Sequence, residues 1–343
     1  MAFPAPEHAV LVDTEVFAAV RLDFDNPNLT HLAVLSRSGR VKLLITSVIL
    51  DEIKSKIVEQ VEEIAKQMRQ AADQPLLRVF DQSITSMVMH EKWIGDLTNV
   101  GVKRLENYLT AAQIEVLQVD GVSNGEVMAD YFAKRPPFGS NKKKSEFPDA
   151  FTLHALRNWA KDQKLPVTLI SGDNDLKRFC ESNQSIAYEA SLAAFLAIFP
   201  DPVISKRVVD WLDDRWQEVE PWIIKQFEKL DFYLDGADGK IATVTVEEAI
   251  PMEYAVVEIE TGVARVSVDV ELTANATAEL RMKSAAYPRG INIPVADKLK
   301  EYFQLSLDVA VELDGNNTPA AIKDIAIVAR PSMPSFTWEH DDS

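Results

Sequence analysis

The sequence predicts an α/β domain on a parallel sheet, followed by a smaller α+β domain whose strands run antiparallel. Three observations carry this expectation. Through the first two hundred residues, short apolar runs alternate with stretches spaced by threes and fours, the order of strands and crossover helices. Farther on, apolar and polar residues alternate singly, the mark of strands with one wet face. Charge divides the same way: of the net −17, about −4 lies in residues 1–200 and about −13 in residues 201–343. The domains are therefore drawn at 1–200 and 201–343, with the linker sought between 200 and 236.

The elements follow in order. His8–Asp13 (HAVLVD) is a short buried-strand run that stops at an acid, and Lys42–Thr46 (KLLIT) is a second. From Ser47 to Ala72, the residues Val48, Ile49, Ile53, Ile57, Val61 and Ile64 share one helix face. Residues 76–112 read as two or three more helices, and Ile114–Val119 (IEVLQV) as another strand. Ser123–Asn124–Gly125–Glu126 is a capping box whose helix must end before Pro136. Residues 135–145 (RPPFGSNKKKS) form a basic, turn-rich loop. The next helix starts near Glu146 with Ser145 as cap, and Pro148 is tolerated in its first turn. Val167–Ile170 (VTLI) is the last clear parallel strand, followed by Ser171–Gly172–Asp173. Helical text rich in Trp and acid, Val203 to Leu230, then leads into alternating strands over Val263–Leu272 and Leu305–Leu313. Trp211, Trp216 and Trp222 read as core of the second domain or its seam with the first, or as stacking residues for bases.

Composition narrows the function classes. Apolar residues make up 47% and charged ones 26%, which excludes wholesale disorder. The single cysteine, Cys180, excludes an intrachain disulfide and any cysteine-based zinc cluster, and suits a reducing compartment. On its apolar-rich helix it reads as a small buried hydrophobe. No apolar stretch is long enough to span a bilayer, and the first residues lack a signal-peptide pattern. The expectation is a cytoplasmic protein without a membrane role. Strong acidity argues against coating DNA, which needs basic surface to displace counterions. It leaves room for a local basic groove, or for a pocket where carboxylates hold metal ions.

Four acids stand where α/β proteins place their chemistry, around the carboxyl ends of parallel strands. Asp13 closes the first strand. Glu52 lies in the second turn of the following long helix, Asp149 in the first turn after the basic loop, and Asp173 after VTLI, with Asp175 two residues on. Each has an ordinary reading: Asp13, Asp173 and Asp175 can build turns, Glu52 can lie on a solvated face, and Asp149 can favour a helix dipole. Brought together, they would repel unless a cation joined them. Oxygen donors without Cys or paired His favour Mg²⁺ or Mn²⁺ over zinc. His154 is the only histidine near this set and reads as packing or surface.

VDTEVF, ITSVILDEI, KKKSEFPDAF and LISGDNDLKRF, in that order, resemble the PIN-domain (PilT N-terminus-like) nucleases, in particular longer bacterial members with an extra C-terminal domain. The resemblance covers about residues 8–190 and implies a three-layer fold and a Mg²⁺- or Mn²⁺-dependent phosphodiesterase. It makes Asp13, Glu52, Asp149 and Asp173 the metal-binding and catalytic acids, with Asp175 a further metal ligand. Thr14, Ser171, Arg135, Lys142, Lys143 and Lys144 become substrate-binding residues. Glu15 departs from the pattern, standing where many members carry a small polar residue. The function so implied is an endoribonuclease, toxin-like or a defence effector, whose nucleic-acid partner is RNA ahead of DNA. A structure-selective DNA nuclease and a non-catalytic scaffold are the alternatives, and the acidic second domain is suited to a protein partner in a regulatory or recognition role. Oligomeric state is left open.

Overall fold

A computed structural model describes residues 8–72, 92–138, 146–235, 238–284, 287–330 and 334–337, with backbone alone at 281–284 and 287–298. Lys142, Lys143, Lys144, the expected cap Ser145 and any helix between 76 and 91 lie outside the described residues. The chain forms two compact units, Met1–Phe195 and Leu196–Ser343. Among the described residues no helix is long and apolar enough to cross a membrane.

In the first unit the elements run β1 (His8–Val12), α1 (Thr14–Ala19), α2 (Pro27–Arg37), β2 (Val41–Thr46), α3 (Ser47–Ala72), α4 (Lys92–Ala111) and β3 (Glu115–Leu117). They continue with α5 (Asn124–Ala133), α6 (Phe147–Gln163), β4 (Val167–Ile170), α7 (Asn174–Glu181), β5 (Ile186–Glu189) and α8 (Leu192–Leu196). The five strands form one parallel sheet in the order β3-β2-β1-β4-β5. Ala9, Val10, Leu11 and Val12 are at most 1% exposed, so both faces are covered at the centre, as an uninterrupted apolar run requires. Helix α3 buries Ile49, Ile53, Ile57, Val61 and Ala65, one residue per turn or so. Gly101 of α4 lets the two helices close up, because a Cβ there would lie 2.6 Å from the Ile57 side chain.

The strand order places a topological switch point beside β1. Its neighbours β2 and β4 are reached by connections leading to opposite sides, which opens a crevice at the carboxyl ends of β1 and β4. One strand was missed. VTLI is not the last of the parallel sheet, since β5 follows it; only Ile186 of that four-residue edge strand is buried, too little for an apolar run to show. Strand β3 is also shorter than IEVLQV, at three residues.

The second unit holds α9 (Pro202–Asp213), α10 (Trp216–Phe227), β6 (Tyr233–Asp235), β7 (Gly239–Glu260), β8 (Val263–Ser284), β9 (Tyr287–Leu313), β10 (Pro319–Ala329) and β11 (Ser335–Thr337). Strands β7 to β10 form an antiparallel meander, and β6 pairs with β11 in parallel. Ala264, Val266, Val268, Val270 and Leu272 join Leu305, Leu307, Val309, Val311 and Leu313 in one core with Val208, Leu212, Val219, Ile223 and Phe227. Trp211, Trp216 and Trp222 are half-buried against it, and Trp216 Nε1 donates to the Ala249 carbonyl at 2.7 Å. The strands run well past the alternating segments. Register shifts such as those at Ile241/Thr243, Val246/Glu248 and Ala276/Ala278 put the pattern out of phase there, so strict period two hides them.

Candidate active site

The crevice is built outward from Asp13. Its backbone N–H still donates to the Ile170 carbonyl at 3.0 Å, so β1 and β4 stay paired up to the point where they part. Its carboxylate caps α1, accepting from the Thr14 N–H at 2.7 Å and from the Ser171 hydroxyl at 2.7 Å. The same Ser171 oxygen accepts from the Asp173 N–H at 3.0 Å, which ties the end of β1 to the turn after β4. Tyr188 on β5 donates its hydroxyl to the Ser171 carbonyl.

Glu52 and Asp149 are brought in by helices that share an anchor. Thr46 is fully buried at the end of β2. It accepts from the Ile49 N–H at 3.2 Å, starting α3, and its hydroxyl bonds that of Thr152 on α6 at 2.9 Å. Glu52 sits one turn along α3 and Asp149 one turn before Thr152. The Thr14 hydroxyl donates to Glu52 Oε2 at 2.5 Å. Asp173 caps α7 by accepting from the Asp175 N–H at 2.5 Å, while Asp175 pairs with Arg178 on the same helix.

Electrostatics show which acids sense one another. Burial first, then Asp13, Glu52, Asp173 and Glu146, push the Asp149 carboxyl up to about 7. Burial also raises Asp13, to about 6, with Glu52 and Glu15 adding to it while the bonds from Ser171 and Thr14 pull the other way. Glu15 lies against Gly172, where an added Cβ would stand 3.2 Å from its carboxylate. Two members escaped sequence reasoning. Glu146, buried at 8% exposure, is signalled only by its place one helical turn before Asp149. Tyr188 was hidden with its strand.

The expected substrate contacts divide. Thr14 is 6% exposed and Ser171 is fully buried, and their hydroxyls are spent on Glu52 and Asp13; they hold acids instead of facing substrate. Arg135 is exposed and lies 3.3 Å from Asp130. His154 is buried on α6 and braces it against α5: its Nδ1 accepts from Arg157 at 3.0 Å, so Nε2–H donates to Asp130 at 2.9 Å. Burial pushes the Cys180 thiol up to about 12, which leaves it inert.

Among the described residues no three of these groups close into a ready-made cage. Hydroxyls and helix N–H groups hold Asp13, Glu52 and Asp173 individually. An all-oxygen donor set in which burial first, and neighbouring acids second, raise Asp13 and Asp149 fits a hard divalent cation that keeps several waters. Thr14→Val tests the support for Glu52. Removing a group that orients a ligand should weaken Mn²⁺ affinity about tenfold in calorimetry, with little change in melting. Unchanged affinity would mean that Glu52 stands free of the metal.

A family model described as a PIN domain matches residues 10–176, a span that contains Asp13, Glu52, Asp149 and Asp173. No curated protein and no solved structure gives a significant match.

Proposed function

The first unit of the chain belongs to the PIN-domain family, and from that premise we propose a divalent-metal-dependent nuclease that hydrolyses phosphodiester bonds in RNA. The observation that supports it best is the pair of raised carboxyls, Asp13 and Asp149, held up by burial first and then by neighbouring acids that include Glu52, in the crevice at the sheet's switch point. These four acids are the proposed holders of Mg²⁺ or Mn²⁺. Such an ion, when bound, lowers the pKa of water and neutralises charge that builds on the phosphate oxygens.

The chain's own residues do the positioning. Ser171 and the Thr14 N–H fix Asp13 from two sides, and Thr14 aims Glu52. Asp149 is carried on a helix locked to β2 through Thr46 and Thr152. Among the described residues no side chain in the crevice is set up as a covalent nucleophile: the Ser171 hydroxyl is buried against Asp13, and both ring nitrogens of His154 are engaged. Hydrolysis by water in one displacement is the reaction these residues suit. The acidic second unit is assigned the recognition or regulatory role.

The test is incubation with labelled single-stranded RNA and DNA in Mg²⁺, Mn²⁺ or EDTA. RNA should shorten with either metal and survive in EDTA, with DNA cut more slowly. Cleavage of DNA alone would replace RNA as the substrate. Neither being cut with any metal would leave a PIN-domain scaffold that binds protein.

A further inference from the structure

Helix α5 carries a feature the reaction does not use. Phe132 is 74% exposed, and Met128, one turn earlier on the same side, is 39% exposed. Scattered exposed apolar residues are ordinary on any surface. What sets Phe132 apart is its surroundings. The exposed cations Lys134 and Arg135 stand two and three residues on, Arg135 at 3.3 Å from Asp130, in a chain of net charge −17. Behind Phe132 the rings continue from α5 onto α6. The Phe132 and Tyr131 centroids are 5.3 Å apart, those of Tyr131 and Phe147 are 5.1 Å apart, and Phe147 lies two residues before Asp149.

The helix beneath is firmly held. Asp130 bonds His154 at 2.9 Å and Glu126 bonds Arg157 at 2.8 Å, both on α6, the helix of Asp149. Phe138, 1% exposed, packs its ring 5.4 Å from Tyr131 and 5.0 Å from Phe147. An exposed ring on a rigid support, next to two cations, is the combination that binds unpaired nucleic acid: the ring stacks on a base and the cations meet the flanking phosphates.

We propose that Phe132, with Lys134 and Arg135, is a stacking platform that seats an unpaired base of single-stranded nucleic acid on the helix packed against the one that carries Asp149. The inference rests on the nuclease reading and names its substrate as single-stranded. A duplex keeps its bases stacked on one another and offers this ring no free face.

Fluorescence anisotropy of a labelled oligouridylate, and of a duplex of mixed sequence, tests this in EDTA, where binding is read without cleavage. Phe132→Ala should weaken oligouridylate binding about tenfold and leave duplex binding unchanged. Phe132→Leu, which keeps an apolar side chain but no ring, should bind as weakly as Phe132→Ala. Phe132→Trp should bind as tightly as the native chain or tighter. Exposure of the ring means that all three keep the native melting temperature. Native binding with all variants equal, or Phe132→Leu matching the native chain, overturns the platform and leaves the nuclease reading standing. No oligouridylate binding by the native chain in EDTA also overturns the platform, while the nuclease reading is decided separately by cleavage in Mg²⁺ or Mn²⁺.

Discussion

Asp13→Asn is expected to abolish cleavage, leave the fold intact, and melt in EDTA no lower than the native chain. The loss should reach at least about a thousandfold in kcat, because several kcal/mol of charge stabilisation disappears with the ligand at the centre of the crevice. The fold survives because asparagine is as good a helix cap as aspartate, so the Thr14 N–H keeps an acceptor. The stability change has a definite sign. Asp13 titrates at about 6 in the folded chain against an ordinary 3.8, so ionising it costs the folded state as pH rises through that window. Above pH 6 the substitution removes the whole of that cost, about 1–2 kcal/mol once solvent screening is allowed for. Below pH 4 both forms are neutral and the two chains should melt together. Full activity of the variant at saturating Mg²⁺ would remove Asp13 from the chemistry. A melting point several degrees below native at neutral pH would make it a structural cap instead.

Divalent-ion affinity should fall steeply as the solution is acidified. Asp149 titrates at about 7 and Asp13 at about 6, and a cation must displace whatever proton each carries. One proton competes between pH 7 and 6, and two compete below 6. Affinity for Mn²⁺ should therefore drop about tenfold over the first unit and about a hundredfold over the next. The two acids share neighbours, so these steps belong to the cluster as a whole. Calorimetry in buffers of different ionisation enthalpy reads the released protons directly. Asp149→Asn should bind more weakly at pH 8 and release fewer protons at pH 6. An affinity independent of pH would mean that the ion binds away from both carboxylates.

What could be read from the residues, and what could not, follows from where the information lies. Asp13, Asp149 and Asp173 could be placed because strand ends and helix starts are local patterns, and the apolar faces of α3 and β8 were visible for the same reason. The jobs of Thr14, Ser171 and Thr46 were not legible. Each is a bond between elements distant in sequence, and a hydroxyl carries no mark of its partner. Glu146 looked like one more charge at a helix start until burial set it beside Asp149. The edge strand β5 is four residues long and mostly wet, so neither periodicity nor apolar content betrayed it. Cys180 needed no partner to be understood. Its helix is largely polar, and Cys180 is buried because it shares the inward face with Leu176 and Phe179.

The three hydroxyl bonds have a consequence for how such a chain can drift over generations. Thr14 joins α1 to α3, Ser171 joins β4 to β1, and Thr46 joins β2 to α6. None of these residues needs to touch substrate, yet each spans two elements, so the constraint that the proposed reaction would impose extends past the acids to their moorings. Threonine and serine can exchange at such positions with little penalty. Alanine cannot enter without slackening two pieces of the frame together. A lineage losing its chemistry would then shed these hydroxyls early, while Asp13 and Asp173 lingered as ordinary helix caps.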